Sequence, residues 1–575
     1  MRTTMKLRAA GLFILVIQTI SLAAHAEASA QTLYHGGDIV TMEGDGPAYV
    51  EAVVELDGSI IFAGSKVEAT KILGDEAREV DLQGKTMLPG FIEPHLHPSI
   101  AAIVLPNDTI APHAWKKPNG IAEAAKSPAA FQRRLKESID RRAREGEMHF
   151  VWGYHQLWHG PLGREMLNEL APNKPVGVIH RSFHEIFLND AAIALLDLKA
   201  EEFSANPQVD FDQGHFFEGG WLALVPRLGP YLLEPDSYRK GLSMMSQLML
   251  QNGITSISEP GFPSANFDME YTLLKSEMDK DPPYDTYLIP NGTQLYGMSG
   301  NSNENAERRM RELPGKYNTH NIFFLPRQVK LFADGAIYSL AMELKAPYLS
   351  DAFKGEWITP LALLQQQQSF YWDKGYKIHV HANGDRGIQQ VIDFNREDQM
   401  RNPRNNHRFT LHHMGYFDGR IAQQVSALGM EASVNPYYLW ALADKYAVVG
   451  LGRERAENLV PIRELTEREV PVSFHSDFAM APAEPLTLVW TAVNRITAEG
   501  RAVSQDQRLD VFTAMKGITI SAARTLDQEQ VIGSIKAGKL ASFTILEQNP
   551  FKIEPMKIKD IPVYGVVHRG TLAVN

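Results

Sequence analysis

The middle of the chain alternates short apolar runs with longer amphipathic stretches, and this alternation constrains the fold more than any other feature. Apolar runs of strand length occur at 176–179, 254–257, 329–332, 378–380 and 470–474. Between them lie stretches such as 386–394, where apolar residues recur with helical spacing. Repeated strand and helix units favour a parallel α/β fold. We therefore predict a TIM-like (β/α)8 barrel over residues 89–523, enlarged by insertions around 105–230.

Both ends of the remaining chain are rich in predicted strands. Residues 32–64 carry short apolar runs around Asp57 and Gly58, a dipeptide typical of a β-hairpin turn. Residues 533–567 carry similar runs near the C-terminus. Because two strand-rich ends flank one long middle, we predict a small β-sandwich domain built from residues 31–88 plus 524–575.

Residues 1–26 have the pattern of a secretory signal peptide. A positive start (Arg2, Lys6 and Arg8) precedes an apolar run over 9–24 that polar residues interrupt. Small residues flank His25, as at a cleavage site, and 28–30 offer a second site. The alternative is a membrane anchor, for which this run is short and broken. We expect a periplasmic or secreted protein, with no membrane attachment after cleavage.

The composition narrows the binding partners and the ligand chemistry. Lys and Arg number 57 against 68 Asp and Glu, a formal net charge of -11, which disfavours binding to nucleic acid. The chain has no cysteine, so disulfides and thiolate ligands are excluded. Any metal site must therefore use nitrogen and oxygen donors.

One local motif combines a predicted strand with two histidines. Residues 89–97 form Pro-Gly-Phe-Ile-Glu-Pro-His-Leu-His, an apolar lead-in that ends on His95 and His97. Side chains two residues apart on a strand point the same way, so this pair can hold one metal at the C-terminal mouth of a barrel strand. Taken alone, such a pair is more often an ordinary surface or core pair, so the wider pattern decides.

This segment resembles the first-strand signature of the amidohydrolase superfamily. From about Leu33 to the C-terminus, the chain is similar to the amidohydrolase family 3 group, the YtcJ-like proteins that include N-substituted formamide deformylases. The resemblance implies a two-metal site whose ligands follow five strands of the barrel. The implied ligands are His95, His97, Lys330, His381, His413 and Asp477.

Lys330 matches the lysine that bridges the two metals in that group. It lies in 328–336, Gln-Val-Lys-Leu-Phe-Ala-Asp-Gly-Ala. A protonated lysine has donors but no acceptor, so it cannot bind a cation. Carboxylation by carbon dioxide gives a carbamate that offers one oxygen to each metal. The resemblance then implies two ligand sets around this carbamate: His95, His97 and Asp477 for one metal, and His381 and His413 for the other.

Two neighbouring histidines leave the ligand from the sixth strand open. Residues 410–413 form Thr-Leu-His-His, in which His413 matches the ligand and His412 matches a position that usually holds glutamate. A shift of one residue would exchange them. His379 lies two residues before His381 and has no counterpart in the motif. We predict that His379 packs in the core or supports a ligand.

Asp477 matches the catalytic aspartate of the eighth strand. It follows Val-Ser-Phe-His-Ser at 472–476, where His475 replaces the usual glycine. We predict that Asp477 takes the proton of the attacking water, and that His475 narrows the site or contacts substrate.

His184 begins a segment similar to the family's Gly-His-x-x-x-x-Asn, so it is a second candidate for substrate binding, with a structural role as the alternative.

The insertion and the second predicted barrel strand add further candidates. Trp152, His155, Trp158 and His159 cluster in sequence, so they either line a pocket or fill a core. Glu259 follows the apolar run at 254–257 and is a candidate to face the mouth of the barrel.

These features predict an exported metal-dependent amidohydrolase that hydrolyses an amide or related C–N bond of a small molecule through metal-activated hydroxide. Histidine and carboxylate donors suit two zinc ions, with manganese, iron or cobalt as alternatives. The competing functions are hydrolysis of an ester, lactone or carbamate at the same site, and non-catalytic binding on the same fold. The sequence leaves assembly into a homo-oligomer open.

Overall fold

The computed structural model describes residues 31–575. The signal peptide predicted over 1–26 and both candidate cleavage sites lie outside these residues. Across residues 31–575, no helix is both long enough and apolar enough to cross a membrane.

The strands of this part of the chain are short and spread along its whole length. In chain order they are β1 (Thr32–Val40), β2 (Tyr49–Leu56), β3 (Ser59–Gly64), β4 (Arg78–Asp81), β5 (Thr86–Pro89), β6 (Phe91–Glu93), β7 (Asp108–Thr109), β8 (Trp115–Lys117), β9 (Gly120–Ala122), β10 (His149–Tyr154), β11 (Val176–His180), β12 (Glu185–Leu188), β13 (Val209–Asp210), β14 (His215–Phe217), β15 (Ile254–Phe262), β16 (Asp285–Pro290), β17 (Ile322–Phe324), β18 (Gln328–Phe332), β19 (Lys377–Ala382), β20 (Thr410–His413), β21 (Glu431–Val434), β22 (Val472–Phe474), β23 (Phe543–Leu546), β24 (Val563–His568) and β25 (Thr571–Val574).

The helices lie between these strands. In chain order they are α1 (Lys66–Lys71), α2 (Pro98–Val104), α3 (Pro128–Arg142), α4 (Gln156–His159), α5 (Arg164–Leu170), α6 (Asp190–Leu195), α7 (Ala200–Phe203), α8 (Gly219–Leu232), α9 (Pro235–Gln251), α10 (Phe267–Met278), α11 (Gly292–Met298), α12 (Asn303–Tyr317), α13 (Leu361–Asp373), α14 (Asp385–Arg401), α15 (Gly419–Ala427), α16 (Tyr437–Lys445), α17 (Arg453–Glu457), α18 (Ile462–Thr466), α19 (Pro485–Asn494), α20 (Val511–Lys516) and α21 (Ile520–Thr525).

Strands from both ends of the chain form one sheet. Its order is β25-β24-β23-β5-β1-β2-β3, with β4 beside β1. β23 pairs antiparallel with β5, which joins the C-terminal strands to the N-terminal ones. The predicted hairpin is confirmed, because Leu56 pairs with Ser59 across a turn in which φ is 51° at Asp57 and 75° at Gly58. Positive φ angles of this kind explain the Asp-Gly dipeptide.

Two parallel sheets carry the middle of the chain. One has the order β17-β16-β15-β6, and the other has the order β18-β19-β20-β21-β22. An isolated parallel bridge between Asn291 and Lys330 places β16 beside β18. At the opposite edges, the Asp477 amide donates to the His95 carbonyl at 3.0 Å, so the segment after β22 lies beside the segment after β6.

The order of elements confirms a mixed α/β fold. The predicted apolar runs 176–179, 254–257, 329–332 and 378–380 lie in β11, β15, β18 and β19. From β18 to β22, at least one helix separates each strand from the next in the chain. A parallel pair requires such a crossover connection, because the chain must return to the same edge before the next strand begins.

The segment at 105–230 contains a sheet of its own. The order is β13-β14-β12-β11-β10-β7, with β10 parallel and β12 antiparallel to β11. Phe131, Leu135, Val151 and Val178 belong to an apolar cluster on this sheet. Helix α8 follows the sheet and contributes side chains to the central cavity.

Candidate metal centre

All six side chains predicted as metal ligands line one cavity. The cavity has a volume of about 230 Å³ and is bounded in part by β18, β19, β20 and the segments after β6 and β22. Each ligand candidate lies within or just after a strand, where the carboxyl ends of parallel strands gather functional groups. The six are His95, His97, Lys330, His381, His413 and Asp477.

Asp477 is the carboxylate around which three of these histidines gather. Its Oδ1 lies 3.2 Å from His97 Nε2 and 3.4 Å from His95 Nε2, and its Oδ2 lies 3.5 Å from His413 Nδ1. The Nε2 atoms of His95 and His97 are 3.2 Å apart. Donors at 2.0–2.1 Å around a tetrahedral ion would be separated by roughly 3.3–3.4 Å, so this spacing fits a divalent metal.

Backbone strain accompanies two of the ligand candidates. His413 has φ 76° and Asp477 has φ 53°, in the left-handed region that residues other than glycine seldom occupy. Each such conformation costs about 1–3 kcal/mol and persists where the surrounding structure enforces it. The strained backbone therefore directs these two side chains into the cavity.

Lys330 is a buried amine without a hydrogen-bond partner among the described residues. It lies in β18, is 0% exposed, and its Nζ has no donor or acceptor within reach. Burial lowers the pKa of Lys330 to about 7. Burying an amine without a hydrogen-bond partner costs free energy in an apolar interior. We therefore expect the Lys330 side chain to carry a further group.

Three of the four candidate histidine ligands are in the neutral state that binds metals. Burial, reinforced by neighbouring positive groups, lowers the pKa values of His95, His381 and His413 well below the usual range, so these rings are neutral. Burial opposes a charge on the fourth, His97, but its contacts with Asp477 and Glu259 outweigh burial and raise the pKa of His97 to about 9. His413 Nε2 is buried and has no partner within residues 31–575. His381 Nε2 lies 2.9 Å from the Asn383 amide nitrogen, and a metal bound to that atom would take the place of this contact. The donor set as a whole fits a divalent cation.

The structure separates the two neighbouring histidines of β20. His413 lines the cavity, whereas His412 does not. His412 is 0% exposed and its two ring nitrogens contact His95 Nδ1 at 2.8 Å and His379 Nδ1 at 2.9 Å. The geometry thus favours His413 as the ligand and gives His412 and His379 a supporting position.

His475 does not occupy the position expected for a substrate contact. It is 0% exposed and is not part of the cavity wall. Its Nδ1 lies 2.8 Å from Ser433 Oγ, and its ring packs against that of His95 with centroids 4.6 Å apart. The strand β22 ends at Phe474, and the left-handed backbone at Asp477 (φ 53°) turns that side chain into the cavity, whereas His475 lies behind His95 and the structure does not bring it to the cavity wall.

His184 lines the cavity and has a carboxylate partner. Its Nδ1 lies 2.8 Å from Glu218 Oε2, and Glu218 also lines the cavity. Burial opposes a charge on this ring, but the Glu218 carboxylate outweighs it and the pKa of His184 is raised. His184 is therefore a hydrogen-bond donor at the cavity wall.

The remaining residues singled out in the sequence do not line the cavity. Glu259 accepts a hydrogen bond from Ser99 Oγ, and its Oε1 lies 3.5 Å from His97 Nδ1, so it holds the far side of that ring. Trp152, His155, Trp158 and His159 are buried and outside the cavity wall, which assigns this cluster to packing.

Two carboxyl groups organise the site although sequence reasoning gave them no role. Glu93 Oε2 accepts the Ser476 amide at 2.9 Å, which joins β6 to the segment that carries Asp477. Asp334 accepts backbone amides from Asn383, Gly384 and Glu343 at 2.8–2.9 Å and so shapes the turn after His381. Both residues lie inside motifs recognised in the sequence, and this was the signal that could have identified them.

Comparisons with known proteins match this chain over most of its length. A family model described as "Amidohydrolase family" matches residues 78–574. An N-substituted formamide deformylase from Arthrobacter pascens is 22% identical over 91% of this chain and 94% of its own length. Protein LONG AFTER FAR-RED 3 from Arabidopsis thaliana is 24% identical over 92% of this chain and 89% of its own.

A solved structure shares the fold. The crystal structure of an uncharacterized metal-dependent hydrolase from Pyrococcus horikoshii OT3 superposes with a TM-score of 0.70. The two sequences are 22% identical, and the alignment covers 92% of this chain and 99% of that one. At this identity the likeness concerns the fold alone.

Proposed function

Since this chain belongs to the amidohydrolase family, it is a metal-dependent hydrolase of C–N bonds other than peptide bonds, and we propose that the six-residue cavity is its two-metal active site. One observation carries the proposal: Asp477 lies within 3.5 Å of three histidine nitrogens, on the wall that also bears the orphaned Lys330 amine. The reaction is hydrolysis of an amide or related bond in a small molecule.

The six side chains divide into two ligand sets around Lys330. His95, His97 and Asp477 would hold one metal, and His381 and His413 would hold the other. A carboxylated Lys330 would serve both, because its carbamate has two oxygens, and the buried neutral amine is the form that reacts with carbon dioxide. Zinc suits these donors best, and manganese, iron or cobalt also accept them.

The protein side chains carry the proton transfers. When bound, the metals act as Lewis acids that lower the pKa of water from about 15.7 to roughly 7 and polarise the substrate carbonyl. Asp477 accepts the proton of the attacking water and returns it to the leaving nitrogen. His184, held by Glu218, donates a hydrogen bond to the oxygen that becomes negative as the carbonyl is attacked.

The wall of the cavity selects uncharged substrates with an apolar part. Helix α8 contributes Trp221, Leu222 and Val225, and α2 contributes Ile100 and Ile103. Among the described residues of this wall there is no arginine, and Lys330 is the one lysine. A carboxylate on the part of the substrate that lies away from the metals would therefore meet a wall whose described residues already include Glu218 and Glu270 and offer no unpaired side-chain cation. An N-substituted formamide, named for the Arthrobacter relative, belongs to the favoured class.

We expect a strong preference for neutral amides over otherwise identical anionic ones. N-formylbenzylamine and N-formylphenylglycine differ by one carboxylate, which makes them a matched pair. Burying an unpaired carboxylate costs several kcal/mol, and each 1.4 kcal/mol is tenfold, so kcat/KM should differ by at least ~10²-fold. Steady-state assays of amine release measure the ratio.

The same assay separates the competing functions. Equal rates for the two formamides would contradict the charge argument while leaving the hydrolase assignment intact. Turnover of benzyl formate without turnover of N-formylbenzylamine would replace amide hydrolysis with ester hydrolysis as the reaction.

We also propose that the two parallel sheets close into a (β/α)8 barrel. Its strands would be β6, β15, β16 and β18 to β22, within residues 89–523, with insertions around 105–230. The bridge between Asn291 and Lys330 and the bond from Asp477 to His95 support the closure. The sheet at the two termini would then belong to a β-sandwich domain of residues 31–88 plus 524–575.

The positive and apolar N-terminus supports export to the periplasm or beyond the cell. We expect the mature protein to begin near Glu27 or Gln31, because small residues precede both positions. N-terminal sequencing of the exported protein measures this. Recovery of an intact Met1 from the mature protein would contradict cleavage.

A further inference from the structure

We propose that a chain of buried histidines fixes which nitrogen of His95 is offered to the metal. This histidine relay consists of Gln328, His379, His412 and His95. It rests on the proposed metal centre, but it concerns proton positions that exist without metal. Only His95 reaches the cavity, so the other three members are positioning residues.

The relay is continuous and enclosed. Gln328 Oε1 lies 2.9 Å from His379 Nε2, and His379 Nδ1 lies 2.9 Å from His412 Nε2. His412 Nδ1 lies 2.8 Å from His95 Nδ1. All four side chains are at most 2% exposed. Each link therefore needs one proton between its two atoms, because an unpaired polar atom at this depth is costly.

The first link has a fixed direction. Gln328 Nε2 lies 3.2 Å from both the Leu526 carbonyl and the Asp527 carboxylate. Neither of these groups can donate, so the amide nitrogen must face them and the amide oxygen must face His379. Asp527 also pairs with Lys377 at 3.0 Å and with Arg408 at 2.8 Å. The glutamine is thereby locked as an acceptor.

The direction of the first hydrogen bond fixes the donor and the acceptor in the next two. His379 donates from Nε2 to Gln328, so in a neutral ring its Nδ1 accepts from His412 Nε2. His412 Nδ1 then accepts from His95 Nδ1. The last step leaves the lone pair on His95 Nε2, the atom that lies 3.2 Å from His97 Nε2 and 3.4 Å from Asp477 Oδ1.

The opposite direction would disable the ligand. If His412 donated from Nδ1, His95 would carry its proton on Nε2, and a protonated nitrogen cannot bind a metal. Metal-binding histidines commonly rely on a hydrogen bond at the other ring nitrogen to fix their tautomer. Here that bond is set by a glutamine three hydrogen bonds away, on the far side of two other rings.

Two substitutions of Gln328 with similar size reverse or keep this direction. In Gln328→Lys, an ammonium group pairs with Asp527 and donates to His379, so the relay should reverse and metal affinity should fall about 10–100-fold, the usual effect of losing such support. In Gln328→Glu, the carboxylate still accepts from His379, so affinity should stay within a few-fold. Competition with a coloured chelator measures metal affinity directly.

The effect of Gln328→Lys in a second variant distinguishes the relay from the effect of an added charge. His412→Glu places an acceptor beside His95 Nδ1 that does not depend on Gln328. We expect this variant to bind metal within a few-fold of the wild type, and Gln328→Lys to have no further effect in it. If Gln328→Lys weakened metal binding equally in both backgrounds, its added charge would be the cause and the relay would be wrong.

Neutron diffraction of the deuterated wild-type protein without metal tests the same inference if a variant fails to fold. We expect deuterium on Nδ1 of His95 and on Nε2 of both His412 and His379. Deuterium on Nδ1 of His412 would overturn the relay while leaving metal binding itself untouched. A wild-type protein that binds no metal would instead refute the proposed function.

Discussion

Lys330→Ala should lose at least one of the two metals and most of the activity. The substitution removes the amine that the proposal converts into the shared ligand, and leaves a small cavity in a buried strand. A bound metal supplies several kcal/mol of transition-state stabilisation, and each 1.36 kcal/mol is tenfold in rate. We therefore expect kcat to fall by roughly 10³-fold or more, measured together with metal content by plasma mass spectrometry.

Lys539→Ala is the matched control for this loss. Lys539 is also a buried lysine, but it donates to the carbonyls of Glu529 and Ile532 and to Ser534, outside the cavity. Its removal should lower thermal stability and leave metal content unchanged. Added short carboxylic acids should partly restore Lys330→Ala by supplying bridging oxygens. Normal metal content and rate in Lys330→Ala would show that Lys330 is not the bridge.

Asp477→Asn should give a folded protein with near-normal substrate affinity and a collapsed kcat. The amide keeps the size and one oxygen but loses the charge and the basic site. The backbone at this position has φ 53°, and asparagine tolerates that conformation as well as aspartate does. Losing a general base costs about 10²–10⁴-fold in rate, and the loss of a ligand adds to it. Steady-state kinetics and circular dichroism measure the two effects.

A second aspartate with a positive φ provides the control for Asp477→Asn. Asp197 has φ 49° and is exposed, so Asp197→Asn makes the same chemical change on the same backbone without touching the cavity. It should leave kcat unchanged. A rate for Asp477→Asn within a few-fold of the wild type would move the base to another residue. An unfolded Asp477→Asn protein would make this aspartate structural first.

The fold could be predicted where the sequence carries strong periodicity. β15, β18 and β19 follow apolar runs of strand length, and helix α14 follows the helical spacing of 386–394. The sheet at 105–230 was not predictable in detail. β12 and β14 pair antiparallel and combine aromatic with charged residues, so their strand structure depends on neighbours that no local pattern specifies.

The residues of the candidate site could be predicted from the sequence, but which of their side chains face the cavity could not. Two histidines at i and i+2 on a strand predict a shared direction. His95 and His97 lie just after β6 rather than on it, and both side chains reach the cavity. Adjacent histidines on a strand point to opposite faces, but His413 has a left-handed backbone (φ 76°) that turns it toward the cavity although the register places His412 beside His381. β20 pairs His412 with His381 and His413 with Ala382 on β19, a fact that the local sequence cannot supply.

The residues that support the candidate ligands could not be predicted from the sequence for a similar reason. Gln328 and Asp527 are far apart in the sequence and meet only in the folded chain. Glu93 and Asp334 lie inside recognised motifs, but their bonds to Ser476 and to the turn after His381 are tertiary contacts. A motif names the residues that touch the metal, whereas the groups that orient them depend on the whole fold.

Metal content per chain tests the central claim most directly. Protein purified with bicarbonate and without chelators should contain close to two divalent ions per chain by plasma mass spectrometry. Removing them should abolish turnover and lower the melting temperature, because a metal that binds only the folded state stabilises it. A rigorously metal-free protein with full hydrolytic activity would contradict the account.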